Sequence, residues 1–188
     1  HANFNQCTTA TGRLSSSNPN LQNMPKGKLF PVRKAFVSRF KDGQLLEVDY
    51  SQLEFRIAGI LAKDETIKKE VEEGFDVHSY TAKVLTENGE PTDRGAAKAS
   101  TFRPLYGGTQ GTFAQRVYFQ EFFGKYSGVF NWHERLQDEA IQNETITTAT
   151  GRQFKFPNVY RTKQGKASVK TQIVNYPVQS VATADIVP

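Results

Sequence analysis

Cys7 is the only cysteine in a chain of 188 residues. No internal disulfide framework and no cysteine-based zinc site can therefore hold the fold together. Apolar burial must do so, and the chain has the means: 37% of it is hydrophobic, with 14 Phe and 7 Tyr. Aromatic side chains supply the area that repays ordering entropy, which excludes a disordered chain. The length suits one ordinary domain or two small ones. No stretch approaches the ~18 consecutive apolar residues of a membrane span, and no basic–apolar leader opens the sequence. A soluble intracellular domain is expected. Its 24 Lys and Arg exceed its 19 Asp and Glu by five, too small an excess to name nucleic acid as a partner by itself.

Local patterns divide the chain. Residues 1–28 are rich in Ser, Asn, Thr and Gly and read as loop; residues 28–40 are basic and mixed. Residues 44–50 (QLLEVDY) alternate as a short strand. Ser51 and Glu54 then have the S-x-x-E spacing of a capping box, followed by Leu53, Ile57, Ile60 and Leu61 at helical spacing. Six acids fall within residues 64–76 and are expected to face solvent. Further helices are expected over 77–85, over 93–106 with an interruption near Pro104, twice within 113–143, and over 169–187. Residues 145–160 fit a hairpin around Gly151. From 145 to 184 there is no acid, against six bases: Arg152, Lys155, Arg161, Lys163, Lys166 and Lys170.

Arg94, Lys98, Phe102 and Tyr106 recur every four residues, so on a continuous helix they share one broad face. Two cations followed by two aromatic rings suit a ligand with phosphates at one end and a flat ring at the other, such as a nucleoside triphosphate. The plainer alternative is a solvated basic edge beside core aromatics. Asp49, at the end of the expected strand, could hold Mg²⁺, which takes oxygen ligands and shares its shell with phosphate; taken alone it reads first as a strand-end cap. Other motifs fail on spacing. His133-Glu134 begins a zinc-protease pattern, but Gln137 stands where the second histidine belongs, and the glycines of 107–111 are followed by no G-K-[ST].

Four longer motifs then occur in order: TATGRLSSSNPNLQNMP (9–25), VDYSQLEFR (48–56), RGAAKASTFRPLYG (94–107) and NYPVQSVATAD (175–185). Together they closely resemble family A DNA polymerases, over nearly the whole chain. The resemblance implies an α+β fold: a mostly helical fingers subdomain with part of the antiparallel palm sheet of a right-hand polymerase. It assigns residues 1–63 to the palm, 64–174 mainly to the fingers, and 175–188 to a helix returning to the palm. The activity it implies is template-directed addition of deoxynucleotides to a primer 3′-hydroxyl with two Mg²⁺ ions. Asp49 would bind both ions, with the Tyr50 carbonyl completing one shell. Arg94 and Lys98 would bind the triphosphate and stabilise charge on the leaving group, and His78 would contact the triphosphate too. Glu54 would be the gate that excludes a ribose 2′-hydroxyl. Phe102 would pack on the incoming sugar and base, and Tyr106 would lie by the nascent pair. Gln52 would line the nucleotide site and, with Arg13 and Gln179, reach the minor groove near the primer end. Asn20, Gln22 and Asn23 would follow the duplex.

The implied partners are primer–template DNA and deoxynucleoside triphosphates, with no membrane. The implied setting is the cytoplasm of a bacterium or an infected bacterial host, and the implied enzyme is monomeric. Several departures stand out. Arg103-Pro104 replaces the usual glycine after Phe102, and Pro104 should bend the helix. The FRPLYGG wording resembles bacteriophage members. The second metal carboxylate of the family lies in a His-Asp-Glu motif that these residues do not contain, so the chain is expected to be a segment of a longer polymerase, inactive alone. The rival expectations are a single-subunit RNA polymerase relative and a non-catalytic DNA-binding module.

Overall fold

The computed structural model describes residues 1–25, 29 and 31–185. Residues 26–28 and 30 of the polar and basic N-terminal stretches, and 186–188 of the last expected helix, lie outside the described residues. The chain divides into two units, His1–Ser51 and Gln52–Pro188.

In the first unit the polar stretch is not wholly loop. β1 (Asn3–Asn5) pairs antiparallel with β2 (Ser15–Ser17), with Phe4 opposite Ser16. Side chains reinforce this ribbon: Asn5 Nδ2 donates to Ser17 Oγ at 3.2 Å, and the Thr8 and Ser15 hydroxyls lie 2.6 Å apart. A 3-10 turn follows at Leu21–Asn23, capped by Asn20, whose side chain accepts from the Gln22 amide at 3.0 Å. The strand expected at 44–50 does not form. Leu46 is 89% and Val48 80% exposed, and no described residue pairs with this segment. Alternation alone makes no strand when its ladder has no partner.

The second unit is helical. α1 (Leu53–Ala62) and α2 (Glu65–Glu72) meet where Gly59 faces Ile67; a Cβ on Gly59 would stand 2.4 Å from Ile67 Cγ2. α3 (Val77–Glu87) packs on α4 (Arg94–Thr101). α5 (Phe113–Lys125) and α6 (Ser127–Asn143) follow. β3 (Thr145–Thr147) and β4 (Gln153–Lys155) form the expected hairpin, burying Ile146 opposite Phe154. α7 (Lys170–Ser180) contains Pro177 and runs into a π-helical turn, Val181–Asp185. The core is aromatic, as the composition requires: Phe55, Tyr118, Phe122 and Tyr126 are fully buried, alongside Leu105 and Ile173. Helices with two small antiparallel sheets make an α+β fold.

Gln52 stands at the N-cap of α1, in the left-handed region at φ 53°, and makes no side-chain cap bond. The acids of 64–76 do not all face solvent. Asp64 is buried, and its Oδ1 accepts from the Thr66 and Ile67 amides of α2.

Candidate nucleotide-binding site

α4 starts where Asp93 accepts from the Ala96 amide at 2.8 Å, an N-cap of ordinary kind. It stops at Thr101 because Pro104 has no amide to continue the ladder. Pro104–Tyr106 instead makes a 3-10 turn, closed by Gly107 at φ 76°. The four residues at four-residue spacing therefore do not share one continuous helix face. Arg94 and Lys98 are exposed on α4, Phe102 is its C-cap, and the 3-10 turn carries Tyr106.

The bend has a consequence. The Tyr106 hydroxyl donates to Glu54 Oε2 of α1, which joins two candidate site residues 52 positions apart in sequence. Arg103, at the unusual position, turns outward; its Nη1 donates to Gln115 Oε1 at 3.0 Å and its guanidinium lies over Phe119, 5.7 Å from the ring centre. The end of α4 is anchored from below by the buried Tyr118, whose hydroxyl donates to the Thr101 carbonyl at 3.0 Å.

Packing of α3 on α4 places His78 against the same surface. Its Nδ1 lies 3.1 Å from Thr101 Oγ1, and its ring meets Phe102 edge-on with centres 5.2 Å apart. Burial, then the nearby Arg94 charge, then Lys98 hold the His78 imidazole below its ordinary pKa against the opposing pull of Asp76. A neutral ring at neutral pH can exchange one hydrogen bond with an anion without adding a charge. Asp76, the N-cap of α3, receives the Arg94 Nε–H at 2.6 Å. That bond, with those from Ser79, holds the Asp76 carboxyl well below the usual carboxylate range, although partial burial opposes it.

Asp49 and Tyr50 lie at the end of the first unit, both exposed and outside any regular element. Arg13, Asn20, Gln22 and Asn23 are exposed in that unit too; Gln22 Nε2 donates to the Leu14 carbonyl at 2.9 Å. Gln52 and Gln179 belong to the second unit and are half-buried. One turn before Gln179, the Asn175 side-chain oxygen is buried with no hydrogen-bond partner. The sequence reading passed over Asn175 and Asp76. The i, i+4 spacing to Gln179 marks the first, and an Asp immediately before an apolar helical run marks the second.

Among the described residues no group of three or more His, Cys, Asp or Glu is placed to hold a metal. The Asp49 carboxylate and the Tyr50 carbonyl are hard oxygen donors, right in kind for Mg²⁺ but too few for a complete set. The acid-free stretch is not one continuous positive face. Arg152 pairs with Asp185, Arg161 with Asp138 at 2.5 Å and Lys166 with Glu134 at 2.6 Å, while Lys170 is half-buried. His133 is a core residue: it is 2% exposed, and burial depresses its pKa to about 3. No helix among the described residues is long and apolar enough to cross a membrane.

The chain is similar to proteins of known activity. It is 36% identical over 93% of its length to DNA polymerase I of Synechocystis, of which it covers 19%. It is 34% identical over 97% of its length to the thermostable DNA polymerase I of Thermus aquaticus, of which it covers 24%. The chain thus spans about a fifth to a quarter of the length of these curated relatives. These relatives are bacterial, and they lend no support to a phage-type origin. Among solved structures it resembles the POL domain of Pol1 from M. smegmatis in complex with DNA primer-template and dNTP, with TM-score 0.74 and 29% identity, covering 97% of this chain and 35% of that one. The family model of DNA polymerase family A matches residues 1–188 from end to end. The chain belongs to DNA polymerase family A.

Proposed function

We propose that this chain carries the nucleotide-binding fingers surface, and part of the palm, of an enzyme that adds deoxynucleotides to a primer on a DNA template. The observation that carries this reading is the surface of α4. Two exposed cations, Arg94 and Lys98, precede an aromatic ring, Phe102, which packs against a neutral histidine, His78. Such a surface offers charge to a triphosphate and an apolar edge to a sugar and base. Charge develops on the leaving pyrophosphate during transfer, so fixed cations there lower the barrier as well as binding substrate.

Within this reading residues 1–63 contribute palm, 64–174 mainly fingers, and 175–188 the helix that returns to the palm. Asp49 and the Tyr50 carbonyl would hold divalent ions, the class of cofactor the family uses. When bound, those ions supply Lewis-acid stabilisation of nucleophile and leaving group. The remaining ligands must come from groups outside this set. Gln52 would line the nucleotide site, and Arg13 and Gln179 would donate to minor-groove acceptors, which every correct base pair presents. Asn20, Gln22 and Asn23 would follow the duplex. The enzyme would work where bacterial DNA lies, in the cytoplasm.

Glu54 tests the reading. Its carboxylate, held by the Tyr106 hydroxyl, would occupy the space a ribose 2′-hydroxyl needs. In the intact enzyme, wild type should extend a primer with dNTPs and reject rNTPs. Glu54→Ala should raise the rNTP-to-dNTP incorporation ratio about 100-fold. A wild-type preference for rNTPs would instead favour an RNA polymerase relative, and no extension with either would favour a binding module. Unchanged discrimination in Glu54→Ala would leave Glu54 only as the partner of Tyr106.

A further inference from the structure

We propose that Asp76 is a positioning residue for Arg94, holding the guanidinium by its Nε so that its two terminal nitrogens face an incoming triphosphate. This inference rests on α4 being the triphosphate surface and adds a second carboxylate to how that surface works.

The geometry divides the Asp76 carboxylate between two tasks. Oδ1 caps α3, accepting from the His78 amide at 3.1 Å and the Ser79 amide at 3.4 Å. A helix cap needs no more than this. Oδ2 takes the Ser79 hydroxyl at 2.8 Å and the Arg94 Nε–H at 2.6 Å. Three donors from the first turn of α3 thus fix the carboxylate before Arg94 arrives. Arg94 comes from the first turn of another helix, 18 residues away. Its Nε is engaged, and its Nη1 and Nη2 bond to no described residue. A guanidinium held in this way keeps the forked pair of donors that matches phosphate oxygens. A lysine has no Nε–H to spend on such a hold.

Charge supports the arrangement. Arg94, Lys98 and the His78 ring crowd one surface, and Asp76 is the carboxylate bonded to it there. Asp93, beside Arg94, is committed to the Ala96 amide. Without Asp76 the exposed Arg94 side chain, 54% accessible, would sample many rotamers, and each binding event would have to order it.

The test is a double-mutant cycle in the intact enzyme, read as kcat/KM for single-nucleotide insertion on a primed template. Asp76→Asn keeps the Oδ1 cap but sets an amide against Nε. It should lower kcat/KM for dNTP about tenfold, the usual loss for a bond to a charged group. Asp76→Ser, which also caps helices, should lower it equally and guards against a folding defect specific to Asn. Added to Arg94→Ala, Asp76→Asn should cost no more than about twofold further, because its effect passes through Arg94. A purely structural cap would multiply the two losses, and that result overturns the inference. So does an Asp76→Asn enzyme within about twofold of wild type while Arg94→Ala is impaired. If Arg94→Ala itself changes nothing, the triphosphate surface is wrong and the inference falls with it.

Discussion

Replacing Asp49 by alanine in the intact enzyme should abolish detectable primer extension, a loss of about 10³-fold, while leaving the melting temperature unchanged. The two halves of this expectation have separate grounds. Asp49 is exposed and lies outside every helix and strand, and substitutions at such positions cost little stability. Under the proposed reading its value lies in chemistry. A carboxylate beside a backbone carbonyl is the donor pair a hard divalent ion prefers, and losing one electrostatic element aimed at developing charge commonly costs about 10²–10³-fold. Asp49→Asn should fail nearly as badly, since an amide oxygen carries no charge. Near-normal extension by either variant would remove Asp49 from the site.

Asp64→Ala should destabilise the second unit by about 2 kcal/mol. The side chain is 4% exposed and makes three bonds from one carboxylate. Oδ1 caps α2 through Thr66 at 3.1 Å and Ile67 at 3.0 Å, and Oδ2 accepts from the Val129 amide of α6 at 3.2 Å. Loss of a cap costs about 1–2 kcal/mol, and loss of the bond to the Val129 amide, which also donates to the Tyr126 carbonyl at 3.1 Å, costs about 0.5–1.5 kcal/mol more. Gly128 shows how close the approach is, because a Cβ there would stand 2.7 Å from Asp64 Oδ2. Amide hydrogen exchange in the intact enzyme checks this: Thr66 and Ile67 should lose protection together. Retained protection at Thr66 and Ile67 would mean that the Asp64 cap contributes nothing.

What could be read from the sequence was local. Asp76 before 77–87, Asp93 before 94–101 and Pro104 after it are punctuation that acts within a few residues, and the helices stop and start there. The hairpin at β3–β4 followed from β-branched residues around Gly151. The polar β1–β2 ribbon did not announce itself, because Asn and Ser pair there through side-chain hydrogen bonds and leave no apolar alternation. Residues 44–50 misled in the opposite direction: the alternation is present and the pairing partner is not among the described residues. The candidate site residues were named from their motifs, residue by residue. The site's internal contacts were not. Glu54 with Tyr106 and Asp76 with Arg94 span 52 and 18 residues, and only folding brings such pairs together. The same is true of the acid-free stretch, three of whose six bases pair with Glu134, Asp138 and Asp185 once the chain is folded.

The central claim, that α4 receives the triphosphate, has one direct test. A crystal structure of the intact enzyme with a chain-terminated primer, its template and the matching dNTP should place triphosphate oxygens about 3 Å from Lys98 Nζ and from the terminal nitrogens of Arg94, with the sugar against Phe102. A triphosphate bound away from these residues, with Arg94 and Lys98 both facing solvent, would contradict it.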